Sequence, residues 1–305
     1  MECDTRFTLR LAGLLEDEDL ARGTVEITVT ACRQFEEFLR GSTGEVLDPD
    51  DVRVVAVDVA EWRSYMTHRG LKSGTVQRKL MGLRLGLRLV CPTLVASLRW
   101  PKVRLERLTA PSGFSRTERN SILRACDQMS PRDAAIVKLL LFTGARSSSV
   151  ATARLSGLHV GARSGSITYV GKGSKTYRVP LNVEAREALR AYLEVRPAAE
   201  HDFVFCAERA PHDPISRGVV WATWHSLRRH VPAALAEKVR GGHQARHDLA
   251  RRLLSGDEGT KVPVPLGDVA AIMAHADVRT TAGIYARPSE ESLARALERI
   301  VGEGD

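Results

Sequence analysis

Residues 166–181 read Ser-Ile-Thr-Tyr-Val-Gly-Lys-Gly-Ser-Lys-Thr-Tyr-Arg-Val-Pro-Leu. Two short runs rich in β-branched and aromatic residues, 166–170 and 176–181, flank a Gly-Lys-Gly-Ser-Lys tip, the pattern of a β-hairpin. The long segments on either side have helical periodicity. Upstream, 133–142 is almost wholly apolar and predicts a buried helix, stopped by Gly144, with a new helix starting near Ser147. Before it, Ser115-Arg-Thr-Glu is a capping signal that opens a helix over 115–129. Downstream, Asn182 caps a helix reaching Arg196, and further helical patterns cover 217–231, 244–254, 266–275 and 289–301. The expected fold class is therefore mainly α with a small β-hairpin or sheet.

The first hundred residues form a second region of different character. Helices are expected over 24–40, 57–69 and 73–90, which together make a small helical bundle. In the third of these, Val76, Leu80, Leu83 and Leu87 follow the three-and-four spacing of one buried face. Residues 1–68 hold fifteen acidic and seven basic side chains, whereas 69–104 hold nine basic and no acidic ones. A solvated helix usually mixes signs, so a basic run of this length points to a polyanion, and Arg78, Arg84 and Arg88 are its candidate DNA contacts. The stretch 101–113 carries two prolines and a glycine and reads as a linker. The expected organisation is a helical DNA-binding domain over 1–103, a linker over 104–113 and a second domain over 114–305.

Bulk properties agree with a nucleic-acid partner. The 305 residues carry a net charge of +8, and 37 of the 45 basic side chains are arginines, which bind phosphate bidentately. Aromatic residues are only 5 %, too few for the stacking platforms of single-strand binders. The five cysteines are scattered without a Cys-x-x-Cys pair, which points to reduced thiols in a cytoplasmic protein, nucleoid-associated if its partner is DNA. No apolar run reaches membrane length and no signal peptide is evident at the N-terminus.

Four clusters carry chemistry: Thr143-Gly-Ala-Arg146, the hairpin with Lys172 and Lys175, His243-Gln-Ala-Arg-His247, and His275 followed by Thr280, Thr281 and Tyr285. In order and content they resemble the tyrosine recombinases, the family of phage integrases and Xer-type resolvases. The hairpin from Gly171 to Leu181 matches the family's Gly-Lys-Gly-x-Lys-x-x-x-Val-Pro-Leu without a gap. No single box is specific, but all four in order are. The resemblance spans about 114–285. It extends more weakly through the N-terminal bundle, which matches the family's core-binding domain in character.

The resemblance implies a two-domain DNA clamp that cleaves and rejoins DNA through a 3′-phosphotyrosyl intermediate, for integration, excision or resolution. Arg146 and Arg246 would neutralise the non-bridging phosphate oxygens, and Tyr285 would be the nucleophile. Lys172 would protonate the departing deoxyribose oxygen, while His243 and His275 would bond the phosphate and accept the tyrosine proton. Lys175 would contact an adjacent phosphate. No metal or other cofactor is then needed. The implied partners are a double-stranded target site, a homotetramer on paired sites and accessory DNA-bending proteins. The stripe Leu293, Ala296, Leu297, Ile300 and Val301 would make 289–301 a helix that couples protomers. An additional arm-site-binding domain is not expected, because the chain opens directly on the acidic segment.

Three departures mark a divergent member. The first box of the family continues with an acidic residue three positions after its arginine, and here that residue is Ser149. One extra residue separates His275 from Tyr285, and 255–265 reads as an inserted loop between Arg246 and His275. The alternatives are a non-cleaving DNA-binding protein of the same fold and a relaxing enzyme of the type IB topoisomerase kind. A zinc hydrolase built on His243 and His247 lacks a third ligand and the usual glutamate, Gln244 standing in its place. A P-loop at Gly171-Lys172 fails because Gly173 replaces the required Ser or Thr.

Overall fold

A computed structural model describes residues 5–18, 20–45, 47–50, 56–105, 113–170, 176–207, 213–256 and 262–273. The chain divides into two compact units, residues 1–107 and 108–305.

The first unit is helical: α1 (Arg6–Glu16), α2 (Arg22–Ser42), α3 (Ala56–His68), α4 (Ser73–Val90) and α5 (Pro92–Ser97). Thr5 caps α1, its hydroxyl accepting from Thr8 N at 3.2 Å. Phe7, Leu11 and Leu15, four apart, then face the core with Phe35, Leu39, Trp62, Leu83 and Leu87. Glycine lets α4 lie close on α2. A Cβ on Gly86 would run into Cys32 Sγ, and one on Gly82 would sit 3.0 Å from Ile27 O. The opposite face of α4 is exposed and carries Arg78, Met81, Arg84 and Arg88. Arg84 there lies over the Trp100 ring, 5.6 Å from its centroid.

The second unit is built around α7 (Pro131–Thr143), which follows α6 (Arg116–Cys126). α6 opens with the expected capping box, Ser115 and Glu118 bonding each other's backbone N–H at 3.2 and 2.8 Å. Most of α7 is buried, Ala135, Ile136, Val137, Leu139, Leu140 and Leu141 among it, as its apolar composition predicts. The short α8 (Ser147–Ala151) comes next. An antiparallel sheet then follows in the order β1 (Leu158–Val160), β2 (Gly165–Val170), β3 (Thr176–Pro180). The expected hairpin is thus the larger part of a three-stranded sheet. Its additional strand, β1, pairs Leu158 with Ile167 and Val160 with Gly165.

After the sheet, Asn182 caps α9 (Val183–Val195) through Ala185 N at 3.1 Å. Where one helix over 217–231 is expected, the chain forms α10 (Arg217–Ser226), a 3-10 turn and, after Pro232, α11 (Ala233–Lys238). Proline fits the start of a new helix better than the interior of an old one. Finally come α12 (His243–Ser255), closed by Gly256 at φ +67°, and α13 (Leu266–Ile272). Leu249, Ala250, Val269 and Met273 pack α12 on α13. The expected helix over 289–301 lies outside the described residues.

A buried ionic network holds α12 to the start of the unit. Asp248 is fully buried and accepts from Phe114 N at 2.7 Å and Arg252 Nε at 3.0 Å. Arg119 lies 3.5 Å from the same carboxylate and donates to Phe114 O. Arg252 reaches on to Leu141 O on α7 at 3.1 Å. Each charge therefore has partners, the condition under which burial of ions is tolerated.

Candidate active site

The Thr-Gly-Ala-Arg box is a helix stop that presents its arginine. Gly144 ends α7 in the left-handed conformation, φ +61°, and its N–H returns to Leu140 O at 3.2 Å. A Cβ here would also press on Met273 Cε at 2.9 Å, so both backbone conformation and space call for glycine. Thr143 Oγ1 donates to Leu139 O at 2.6 Å and accepts from Ala145 N at 3.2 Å, tying the helix end to the loop. Arg146 follows as the half-buried N-cap of α8.

Arg246, on α12, comes to the same place from across the sequence. It is buried and donates through Nη1 to Gly144 O at 2.7 Å and through Nη2 to Met273 O. One guanidinium thus joins the loop before Arg146 to the residue two positions ahead of His275. Its planar fork suits this double anchorage as an ammonium would not.

His243 lies one turn before Arg246 at the start of α12 and keeps an exposed edge. Loss of water around its ring, and then the positive charges of Arg246, Arg146 and Arg217, hold its pKa below the ordinary histidine value. His247 is held low in the same direction by burial and then by His243 and Arg246. The Thr-Gly-Ala-Arg and His-x-x-Arg-His boxes, far apart in sequence, therefore share one electrostatic environment. Positive charges this close also make the two histidines a poor cage for a cation.

Arg217 stands outside the four sequence boxes and is a functional candidate that sequence reasoning missed. It is exposed in the first turn of α10, after the Ser216 cap, whose hydroxyl accepts from Val219 N at 3.3 Å. The signal was available, because a cation at a helix N-terminus opposes the helix dipole and calls for another reason to be there. Lys172 and Lys175 fall between the paired strand ends Val170 and Thr176, outside the described residues. His275 and Tyr285 also lie outside them. Ser149, in place of the expected acidic residue, is buried on α8 and accepts a hydrogen bond from the Tyr177 hydroxyl at 3.2 Å.

Residues 114–292 match the family model described as phage integrase family. The chain belongs to the phage integrase, or tyrosine recombinase, family. This integrase-family chain is 30 % identical over 222 residues to the tyrosine recombinase XerD of Chlorobaculum tepidum, covering 67 % of this chain and 70 % of that one. It is 28 % identical over 244 residues to the XerD of Pseudomonas putida, covering 76 % of each. Among solved structures it resembles the XerH site-specific recombinase bound to palindromic difH substrate in a post-cleavage complex. That similarity has a TM-score of 0.67 at 17 % identity, over 95 % of this chain and 84 % of the other. It also resembles a lambda integrase dimer bound to a COC′ core site, with a TM-score of 0.59 at 16 % identity, over 90 % and 95 %. At these identities the structures establish the shared recombinase fold, mainly helical with a small antiparallel sheet. Among the described residues, no helix is long and apolar enough to cross a membrane.

Proposed function

We propose that this protein is a site-specific DNA recombinase that cleaves and rejoins double-stranded DNA through a 3′-phosphotyrosyl intermediate. The observation that carries the proposal is the gathering of Arg146, Arg246 and His243 in one environment, within a family match that runs through Tyr285. The names of its relatives, site-specific recombinases and integrases, favour the same reading.

A phosphodiester resists attack because its charge repels nucleophiles. Arg146 and Arg246 offset that charge and stabilise what builds up in the transition state. Tyr285 Oη attacks phosphorus, the P–O5′ bond breaks, and a phosphotyrosyl ester forms. Lys172 gives a proton to the leaving O5′. His243, whose pKa is held below the ordinary histidine value, takes the tyrosine proton, and His275 bonds the phosphate. The ester keeps the phosphodiester's energy, so a second 5′-hydroxyl reverses the step and ATP is not consumed. The N-terminal unit supplies the other DNA contacts through Arg78, Arg84 and Arg88, and Lys175 touches a phosphate beside the hairpin. Two duplexes each cut on both strands need four tyrosines, hence a tetramer on paired sites.

The test is a supercoiled plasmid carrying two copies of a binding site selected from random sequence, incubated with excess EDTA. The expected product is strand exchange between the sites. Relaxation without exchange would make the protein a relaxing enzyme, and binding without any covalent adduct would make it a regulator.

A further inference from the structure

Arg146 lies two residues after a glycine in the left-handed conformation and precedes a helix of five residues, too short to hold itself. Something outside that segment must fix its direction. Arg246 grips Gly144 O on one side, and the sheet supplies further anchors. Tyr169 on β2 and Tyr177 on β3 are directly opposed in the antiparallel register, so their side chains leave the same face. The rings pack with centroids 5.6 Å apart. Tyr169 is fully buried, and its hydroxyl lies 3.4 Å from Thr143 Oγ1, three residues before Arg146. Tyr177 donates to Ser149 Oγ at 3.2 Å, three residues after Arg146.

The contacts bracket Arg146 from both sides in sequence. Thr143 Oγ1 accepts from Ala145 N at 3.2 Å, which ties the Tyr169 contact to the backbone just before Arg146, and Ser149 lies in the same helical turn as Arg146, whose carbonyl accepts from Val150 N at 3.0 Å. Val150 and Ala151 anchor α8 in the core, but apolar contacts are not directional and leave its rotation to be set by hydrogen bonds.

We propose that Tyr169 and Tyr177 are positioning residues for strand cleavage, a two-tyrosine brace that grips the Arg146 segment through Thr143 and Ser149 and aims its guanidinium at the scissile phosphate. The proposal rests on the recombinase function above. Neither tyrosine touches DNA; both act through Arg146. Ser149 is the acceptor in this brace, which gives a role to a residue type that the first box does not lead one to expect.

Tyr177→Phe removes one oxygen from a half-buried ring and is the least disruptive probe. Cleavage is read as covalent adduct formed in a single turnover on a nicked duplex carrying the selected site. At saturating DNA the variant is expected to be about three- to tenfold slower than wild type, the worth of one hydrogen bond, with an unchanged half-saturating DNA concentration. A methylphosphonate at the scissile position removes the non-bridging charge that Arg146 meets, so on that substrate the gap should shrink to below about twofold. Ser149→Ala should behave like Tyr177→Phe, and Ser149→Thr, which keeps the hydroxyl, should recover the rate; these variants guard against a folding defect in the first. A Tyr177→Phe protein as fast as wild type would overturn the brace. So would an equal slowing on both substrates, because the tyrosine would then act on something other than the charge at Arg146. A wild type that forms no adduct would instead sink the recombinase function, and the brace with it.

Discussion

The guanidinium of Arg246 reaches 102 residues back to Gly144 O and 27 residues forward to Met273 O. The sequence shows that an arginine stands in a His-x-x-Arg-His box; it does not show that two backbone carbonyls orient it, because those bonds exist only once α7, α12 and α13 are packed. The same holds for His243, whose lowered pKa arises from partial burial and then from Arg246, Arg146 and Arg217. Because folding lowers the pKa of His243 and His247, the unfolded chain takes up protons first as the pH falls. Their contribution to stability is full above the ordinary value of about 6.5 and is lost as the pH drops toward the folded-state values. An NMR titration of the free protein should place the His243 midpoint below about 6.5, and Arg146→Ala should move it upward. A midpoint that ignores Arg146→Ala would mean that the two boxes do not share one environment.

Elements were legible where local chemistry decides them. The 171–175 tip between β-forming runs announces β2 and β3, and Ser115, Asn182 and Gly144 mark helix ends that the structure keeps. β1 was not legible: Leu158-His-Val is three residues long and is a strand only because β2 offers it an edge. The α1 helix carries a readable Phe7–Leu11–Leu15 stripe behind its Thr5 cap, yet the acidic residues beyond it dominate that stretch. Arg217 was missed because a single arginine carries no periodicity. Asp248 shows the opposite case, a charged residue whose burial no local pattern predicts. It holds α12 to Phe114 and Arg119 and pairs with Arg252 one turn along the same helix. Asp248→Ala would strand buried arginine charge and is expected to destabilise the second unit by about 3–5 kcal/mol, read from denaturant unfolding of the full chain. A loss below about 1 kcal/mol would show that the network is replaceable by water.

At the scale of the whole molecule, the charge asymmetry of the first hundred residues turns into a surface. On α4 the arginines at 78, 84 and 88 are all exposed, opposite the face that glycines 82 and 86 press on α2. If that surface lies along the DNA backbone, replacing Arg78 and Arg88 by Ala weakens binding at every sequence alike. The slope of log affinity against log salt should flatten by about 0.9 for each phosphate that is no longer neutralised. An unchanged slope would place the DNA contacts of this unit elsewhere.

The whole mechanism turns on a covalent joint between Tyr285 and DNA. A nicked duplex in which cleavage releases a short fragment traps that joint, because the fragment diffuses away and rejoining fails. With such a substrate the wild type should give a slower-migrating protein–DNA band that survives denaturant and forms in excess EDTA. Tyr285→Phe should bind the duplex as tightly and give no band. A Tyr285→Phe protein that still forms the adduct would contradict this mechanism.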